Sequence, residues 1–190
     1  MNTITKIGLI QIDDHIRRAV EQQAIPGVVG IIANRDRVLY HKALGSQDAA
    51  RGTTLRRDTI FRIASMTKPI TSAVIMMLHE QGRLDLDDPV ARFIPHLRSP
   101  QVFASFDPEN ASYTTRPAST EITIRHLLNH TSGFGYAFSN PILYRLEQAT
   151  GKSPTELPLL HDPGTHWTYG MGTAILGDLI RTITNMSLYT

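Results

Sequence analysis

The chain of 190 residues contains no cysteine. That absence removes disulfides, thiol nucleophiles and cysteine-ligated zinc together, and leaves the redox compartment undecided. No apolar run is long enough to span a bilayer, and the start, Met1-Asn2-Thr3-Ile4-Thr5-Lys6, lacks the apolar core of a secretory leader. With Met1 as the true start, a cytoplasmic location is expected, with no membrane partner. The charge excess is small, at +2 for 19 basic against 17 acidic residues. The basic residues are dispersed, so no nucleic-acid partner is implied. There is no Gly-x-Ser-x-Gly elbow and no Gly-rich phosphate loop, and His79-Glu80 lacks the second histidine of a zinc-protease helix. His126 and His130 share helical spacing without a third partner, so capping and loop packing are favoured over a metal site, and none is assigned. No repeat or low-complexity segment is found.

What is present is a chain of ordinary globular composition, 41% hydrophobic and 19% charged. Its centre is Phe61-Arg62-Ile63-Ala64-Ser65-Met66-Thr67-Lys68-Pro69 and the apolar run that follows to Gly82. Pro69 is tolerated only in a first helical turn, so the helix is expected to begin near Ser65, to be buried on most faces, and to end at Gly82. Ser65 and Lys68, three apart, then project from one face. A serine hydroxyl needs a base within hydrogen-bond reach, and a desolvated lysine can supply one at a helix end that favours negative charge. By itself Ser-x-x-Lys is weak, since chance supplies on the order of a quarter of a match in such a chain.

Around this centre the periodicity predicts an amphipathic helix over 9–23, then strands Val28 to Ala43 as a hairpin turning at Asn34-Arg35-Asp36-Arg37, with Gly45 closing the second strand. Residues 46–58 read as turns, and 59–63 as a short extended piece. Asp87-Asp88-Pro89 opens a short helix that Pro95 stops, and 98–120, rich in Ser, Thr, Pro and Asn, reads as a long surface loop. Thr123 caps a helix through Leu128, Asn140-Pro141 opens another that Gly151 ends, and Asp162-Pro163-Gly164-Thr165 makes a tight turn. Ile175, Leu176, Leu179, Ile180 and Ile183 mark a last helix before Asn185.

Ser65-Met66-Thr67-Lys68, His130-Thr131-Ser132-Gly133 and Pro163-Gly164-Thr165-His166-Trp167-Thr168-Tyr169, in this order and spacing, resemble the serine β-lactamase-related family. The branch in question holds class C β-lactamases, D-alanyl-D-alanine carboxypeptidases, and related esterases and transesterases. The resemblance implies an α+β, β-lactamase/transpeptidase-like fold, an antiparallel sheet flanked by helices plus a mostly helical subdomain. Residues 1–60 would supply the N-terminal helix and hairpin, and 61–190 the helical part. It further implies an acyl-enzyme mechanism in which Ser65 attacks an ester or amide carbonyl, Lys68 helps deprotonate it, and Tyr169 relays the proton to the leaving group. The Ser65 N–H would be one oxyanion donor. From the residues alone, Tyr169 reads rather as a core aromatic; the family match reverses that. No cofactor is implied.

Two departures bear on the substrate. Tyr169-Gly170-Met171 stands where the β-lactamases of this branch have Tyr-x-Asn, which tilts the expected small-molecule substrate toward esters. Gly170, Met171 and His166 are the candidate substrate-binding residues. The family's third motif, Lys-Thr-Gly or His-x-Gly on a late strand, has no match. The sequence is therefore similar to the N-terminal part of such a domain, with C-terminal strands and helix missing. An open sheet edge at Val28 to Ala43 is then expected to promote association, and an incomplete half-domain that works as a binding protein is the alternative to an esterase.

Overall fold

A computed structural model describes residues 5–186. The readings that rest on the first four residues and on Ser187-Leu188-Tyr189-Thr190 lie outside them. The chain forms two compact units, Met1–Arg62 and Ile63–Thr190.

The first unit is a helix and a small sheet. Thr5 accepts a hydrogen bond from the Gly8 N–H through its side chain and so starts α1 at Lys6, three residues before the expected position; the helix runs Lys6–Glu21. Strands β1 (Gly27–Ala33) and β2 (Val38–Asp48) pair antiparallel, with Val29 opposite Ala43 and Ile31 opposite His41. The turn between them is held by Asn34 Oδ1, which accepts from the N–H groups of Asp36 and Arg37. Asp13 of α1 ties helix to sheet, accepting from Tyr40 and Lys42 of β2 and from Arg17. Gly45 does not close β2. It pairs with Gly27, close enough for the strand to continue to Asp48, where the short β3 (Thr53–Thr54) joins it. Residues 59–63 form no strand. Among the described residues β1 pairs with β2 alone, which leaves its other edge open.

The second unit is built on α2, Thr67–Glu80, entered through a single 3-10 turn at Ala64–Met66. Only Thr71, Ile75 and Leu78 of α2 are buried. Met66, Ile70 and Met77 lie bare on another flank, so the helix is not buried on most faces as its composition implies. Hydrophobicity without a clear period gave no signal of sidedness. Gly82, with φ 68°, terminates the helix in the left-handed region. Helix α2 packs on α5 (Gly172–Thr184), which also carries α3 (Ile124–Leu128). Their contact faces, Ile75, Leu127, Ile175, Leu176 and Leu179 among them, make the main core. Thr123 accepts from the His126 N–H and His126 Nδ1 accepts from the Thr123 N–H, a reciprocal cap that sets α3 in place.

Two readings between these helices are corrected. The expected helix after Asp87-Asp88-Pro89 is a lone 3-10 turn, Val90–Arg92, because the Val90 N–H is drawn to the Ile122 carbonyl at 2.8 Å. Pro95 opens a further 3-10 turn, Pro95–Leu97. The expected loop over 98–120 contains a hairpin, β4 (Gln101–Asp107) and β5 (Ser112–Pro117), closed by Phe103 against Tyr113 edge to face at 5.2 Å. Its threonines and aromatics favour a pleated surface, which outweighs the turn-like look of its serines and prolines. A second core of Leu143, Leu146 and Leu157 gathers beside it under α4, Pro141–Thr150, which Asn140 caps and left-handed Gly151 ends.

Asp162 anchors this hairpin to the turn before Tyr169. Its carboxylate takes two bonds from the Arg116 guanidinium, at 3.0 and 2.6 Å, and one from the Ser119 N–H. The Arg116 bonds first, then the Ser119 N–H, hold the Asp162 carboxyl well below the usual carboxylate range. A depressed folded-state pKa contributes stability above the unfolded-state value of about 4, lost as pH falls toward the folded value. Asp162→Asn should therefore lower the melting temperature at neutral pH and flatten its decline below about pH 4, as read by circular dichroism melts across pH. An unchanged pH slope would remove Asp162 from the acid response.

Candidate active site

Ser65 is the middle residue of the 3-10 turn that opens α2, and Lys68 lies one turn further on. The preceding residue, Ala64, has φ 44°, in the left-handed region that a residue with a side chain rarely occupies. The Lys68 Nζ donates to Ser65 Oγ at 3.1 Å. Tyr169, 104 positions away in sequence, donates its hydroxyl to the same Oγ at 2.8 Å. The three residues named from the sequence as catalytic thus meet at one oxygen.

The scaffold that brings Tyr169 there is the His130 segment. The Thr168 N–H donates to the His130 carbonyl at 2.8 Å, and the Gly164 N–H to the Thr131 carbonyl at 2.8 Å. His130 itself has φ 61°, and its ring sits 4.9 Å from that of Tyr169. His161 braces the same stretch from behind, its Nε2 paired with Thr168 Oγ1 at 2.9 Å. His166 bonds Thr165 Oγ1 and lies against the His161 ring. Gly170 is buried where a Cβ would stand 2.0 Å from the Phe134 carbonyl oxygen. Met171 precedes α5 and packs on the main core, beside a cavity lined by Ile94, Leu97 and Ile175 that none of Ser65, Lys68 or Tyr169 enters. The reason is its place at the helix start, where the chain turns inward. His126, once weighed as a ligand, is occupied in the α3 cap.

Tyr136 was not foreseen. Lys68 Nζ lies 4.7 Å from the centre of the Tyr169 ring and 5.5 Å from that of Tyr136. Burial works to lower the Lys68 pKa, but the Tyr169 and Tyr136 hydroxyls outweigh it and hold the ammonium above its ordinary value. Tyr169 moves the other way. The nearby Lys68 ammonium first, then the bond to Ser65, lower the phenol pKa against a smaller opposing effect of burial. His130 is held below the usual imidazole value, by burial first and by the Lys68 charge second. No sequence signal separates Tyr136 from an ordinary aromatic, beyond its place two residues after Phe134 in the segment that follows His130.

The antiparallel sheets and helices are those of a β-lactamase/transpeptidase-like fold. The β-lactamase family model matches residues 12–189, and the chain belongs to that family. It is 31% identical over 193 residues to the esterase EstB of Burkholderia gladioli, covering 94% of this chain and 46% of that protein. It is 32% identical to the monacolin J acid methylbutanoyltransferase of Aspergillus terreus, over 95% of this chain and 47% of that one. Among solved structures, a mutant simvastatin synthase from Aspergillus terreus superposes with a TM-score of 0.83 at 33% identity, covering 95% of this chain and 45% of that one. The chain therefore spans about half the length of the relatives it matches.

Proposed function

We propose that this chain carries the acylation machinery of a serine esterase or acyltransferase that works through an acyl-Ser65 intermediate. The observation that carries the reading is the convergence of Lys68 Nζ and the Tyr169 hydroxyl on Ser65 Oγ, at 3.1 and 2.8 Å. Ester chemistry is favoured by the esterase and methylbutanoyltransferase among its relatives and by Gly170-Met171 in place of an asparagine two residues after the tyrosine.

The meeting of the three groups at Ser65 Oγ, with the directions of the two pKa shifts, supports the following roles. Lys68, held protonated, stabilises the Tyr169 phenolate, and the 2.8 Å contact then carries the Ser65 proton to the phenolate as Oγ attacks the carbonyl carbon. The charge that develops on the carbonyl oxygen lies at the start of α2, with the Ser65 N–H as one donor. As the tetrahedral adduct collapses, Tyr169 returns the proton to the departing alkoxide. Water or an acceptor alcohol then releases the acyl group by the same steps in reverse order.

Intact-protein mass spectrometry after incubation with a fluorophosphonate tests the nucleophile. A single adduct is expected in the wild type, and none in Ser65→Ala. The alternative reading is a half-domain that binds a second chain through the open edge of β1, where Ile31 is bare. No adduct in a sample folded by circular dichroism would favour that reading over this one.

A further inference from the structure

The reactive group lies in the middle of a row of rings. Trp167 stacks near Tyr169 at 6.4 Å with 22° between planes, Tyr169 meets Tyr136 at 5.4 Å, and Tyr136 stacks on Phe138 at 4.9 Å. His130 stands edge-on to Trp167 at 6.1 Å. The two central rings serve the chemistry, since the Lys68 ammonium lies over both. The two terminal rings do not. Trp167 is 67% exposed and Phe138 76%, so each end of the row shows a large apolar surface to solvent, Trp167 next to the Tyr169 that touches the serine. What singles Trp167 out among the bare apolar side chains is its continuity, through Tyr169, with the nucleophile, which makes a substrate group a natural cover. Trp167 neighbours His130 edge-on and Tyr169 near-parallel, which limits the side-chain freedom lost on stacking.

We infer that Trp167 is a specificity-determining platform on which a planar apolar group of the substrate stacks while its carbonyl is presented to Ser65. The inference rests on the acyl-serine reading above and narrows its substrate to esters that carry an aromatic or flat unsaturated group near the reacting carbon. A ring that stacks on Trp167 gains about threefold to tenfold in the rate of capture over a group that cannot.

Methanesulfonyl fluoride and phenylmethanesulfonyl fluoride separate this inference from its foundation. Both form a bond from Ser65 Oγ to sulfur with loss of fluoride and of the hydroxyl proton, and they differ by the phenyl ring alone. The readout is the ratio of the two labelling rates, phenyl over methyl, by intact mass. It should fall threefold to tenfold in Trp167→Ala and recover in Trp167→Phe, on the stacking estimate above. An unchanged ratio, including one in which both rates drop together, would overturn the inference and leave Trp167 as a support for Tyr169.

Failure of both reagents to label wild-type Ser65 would count against the acyl-serine reading instead. The platform then still has its own readout, because Trp167 is the chain's single tryptophan. In the Ser65→Ala protein, phenyl acetate should quench its emission saturably and ethyl acetate should not. A flat response to both overturns the platform.

Discussion

Tyr169→Phe is expected to slow fluorophosphonate labelling of Ser65 by about two to four orders of magnitude, the usual contribution of a positioned base. The phenylalanine keeps the ring contacts with His130 and Tyr136 and removes only the oxygen 2.8 Å from Ser65 Oγ. A loss of that size would therefore report chemistry rather than packing. The pH profile sharpens the test. With the phenolate as the base we propose, the wild-type rate is lost as pH falls and rises toward a Tyr169 pKa that lies below the ordinary phenol value of about 10. Lys68→Met removes the first cause of that lowering and should move the rise to higher pH, whereas Tyr169→Phe should abolish it. If Tyr169→Phe labels at the wild-type rate in a folded sample, Tyr169 is not the base and Lys68 takes its place.

The second large effect concerns the residue beside that tyrosine. In Gly170→Ala the new carbon would stand 2.0 Å from the Phe134 carbonyl oxygen, 2.6 Å from its carbon and 2.7 Å from the Gly135 Cα. All three are backbone atoms, so no side chain can swing away, and the segment carrying Tyr169 must part from the one that follows His130. The cost is expected at or above the top of the 1–3 kcal/mol typical of overpacking, about 6–12 °C in melting temperature for a chain of this size. Gly82→Ala is the contrast. There a Cβ meets nothing within 4 Å, and only the left-handed backbone opposes it, at roughly 1–2 kcal/mol. Equal melting points for the two variants would mean that the Phe134 contact is not tight.

The elements that were legible in the sequence are those whose ends are decided locally. Asn140-Pro141 and Gly151 bound α4 because a cap, a fixed φ and a left-handed glycine act within a few residues of one another. The hairpin at 101–117 was missed because its strands are stabilised across the pair, through Phe103 on Tyr113 and a bridge from Val102 to Leu159, and such partners cannot be read from one strand's composition. The site divides in the same way. Ser65 and Lys68 are neighbours through helical spacing alone, whereas Tyr169 was reached only through its motif. Tyr136 escaped altogether. Which way Met171 points was equally beyond reach, since the direction of a side chain at a helix start depends on the core that the helix joins.

Ala64, which precedes the nucleophile, and His130, which holds the Tyr169 segment, have left-handed backbone without being glycine. A Cβ disfavours that region, and the surrounding packing must absorb roughly 1–3 kcal/mol at each. Any change that relieves the backbone there would make the protein harder to melt and at the same time loosen the angle at which Ser65 and Tyr169 meet. Thermal tolerance and sharpness of the site are therefore set in opposition by the same two peptide units, and a lineage under pressure for one would be expected to surrender some of the other.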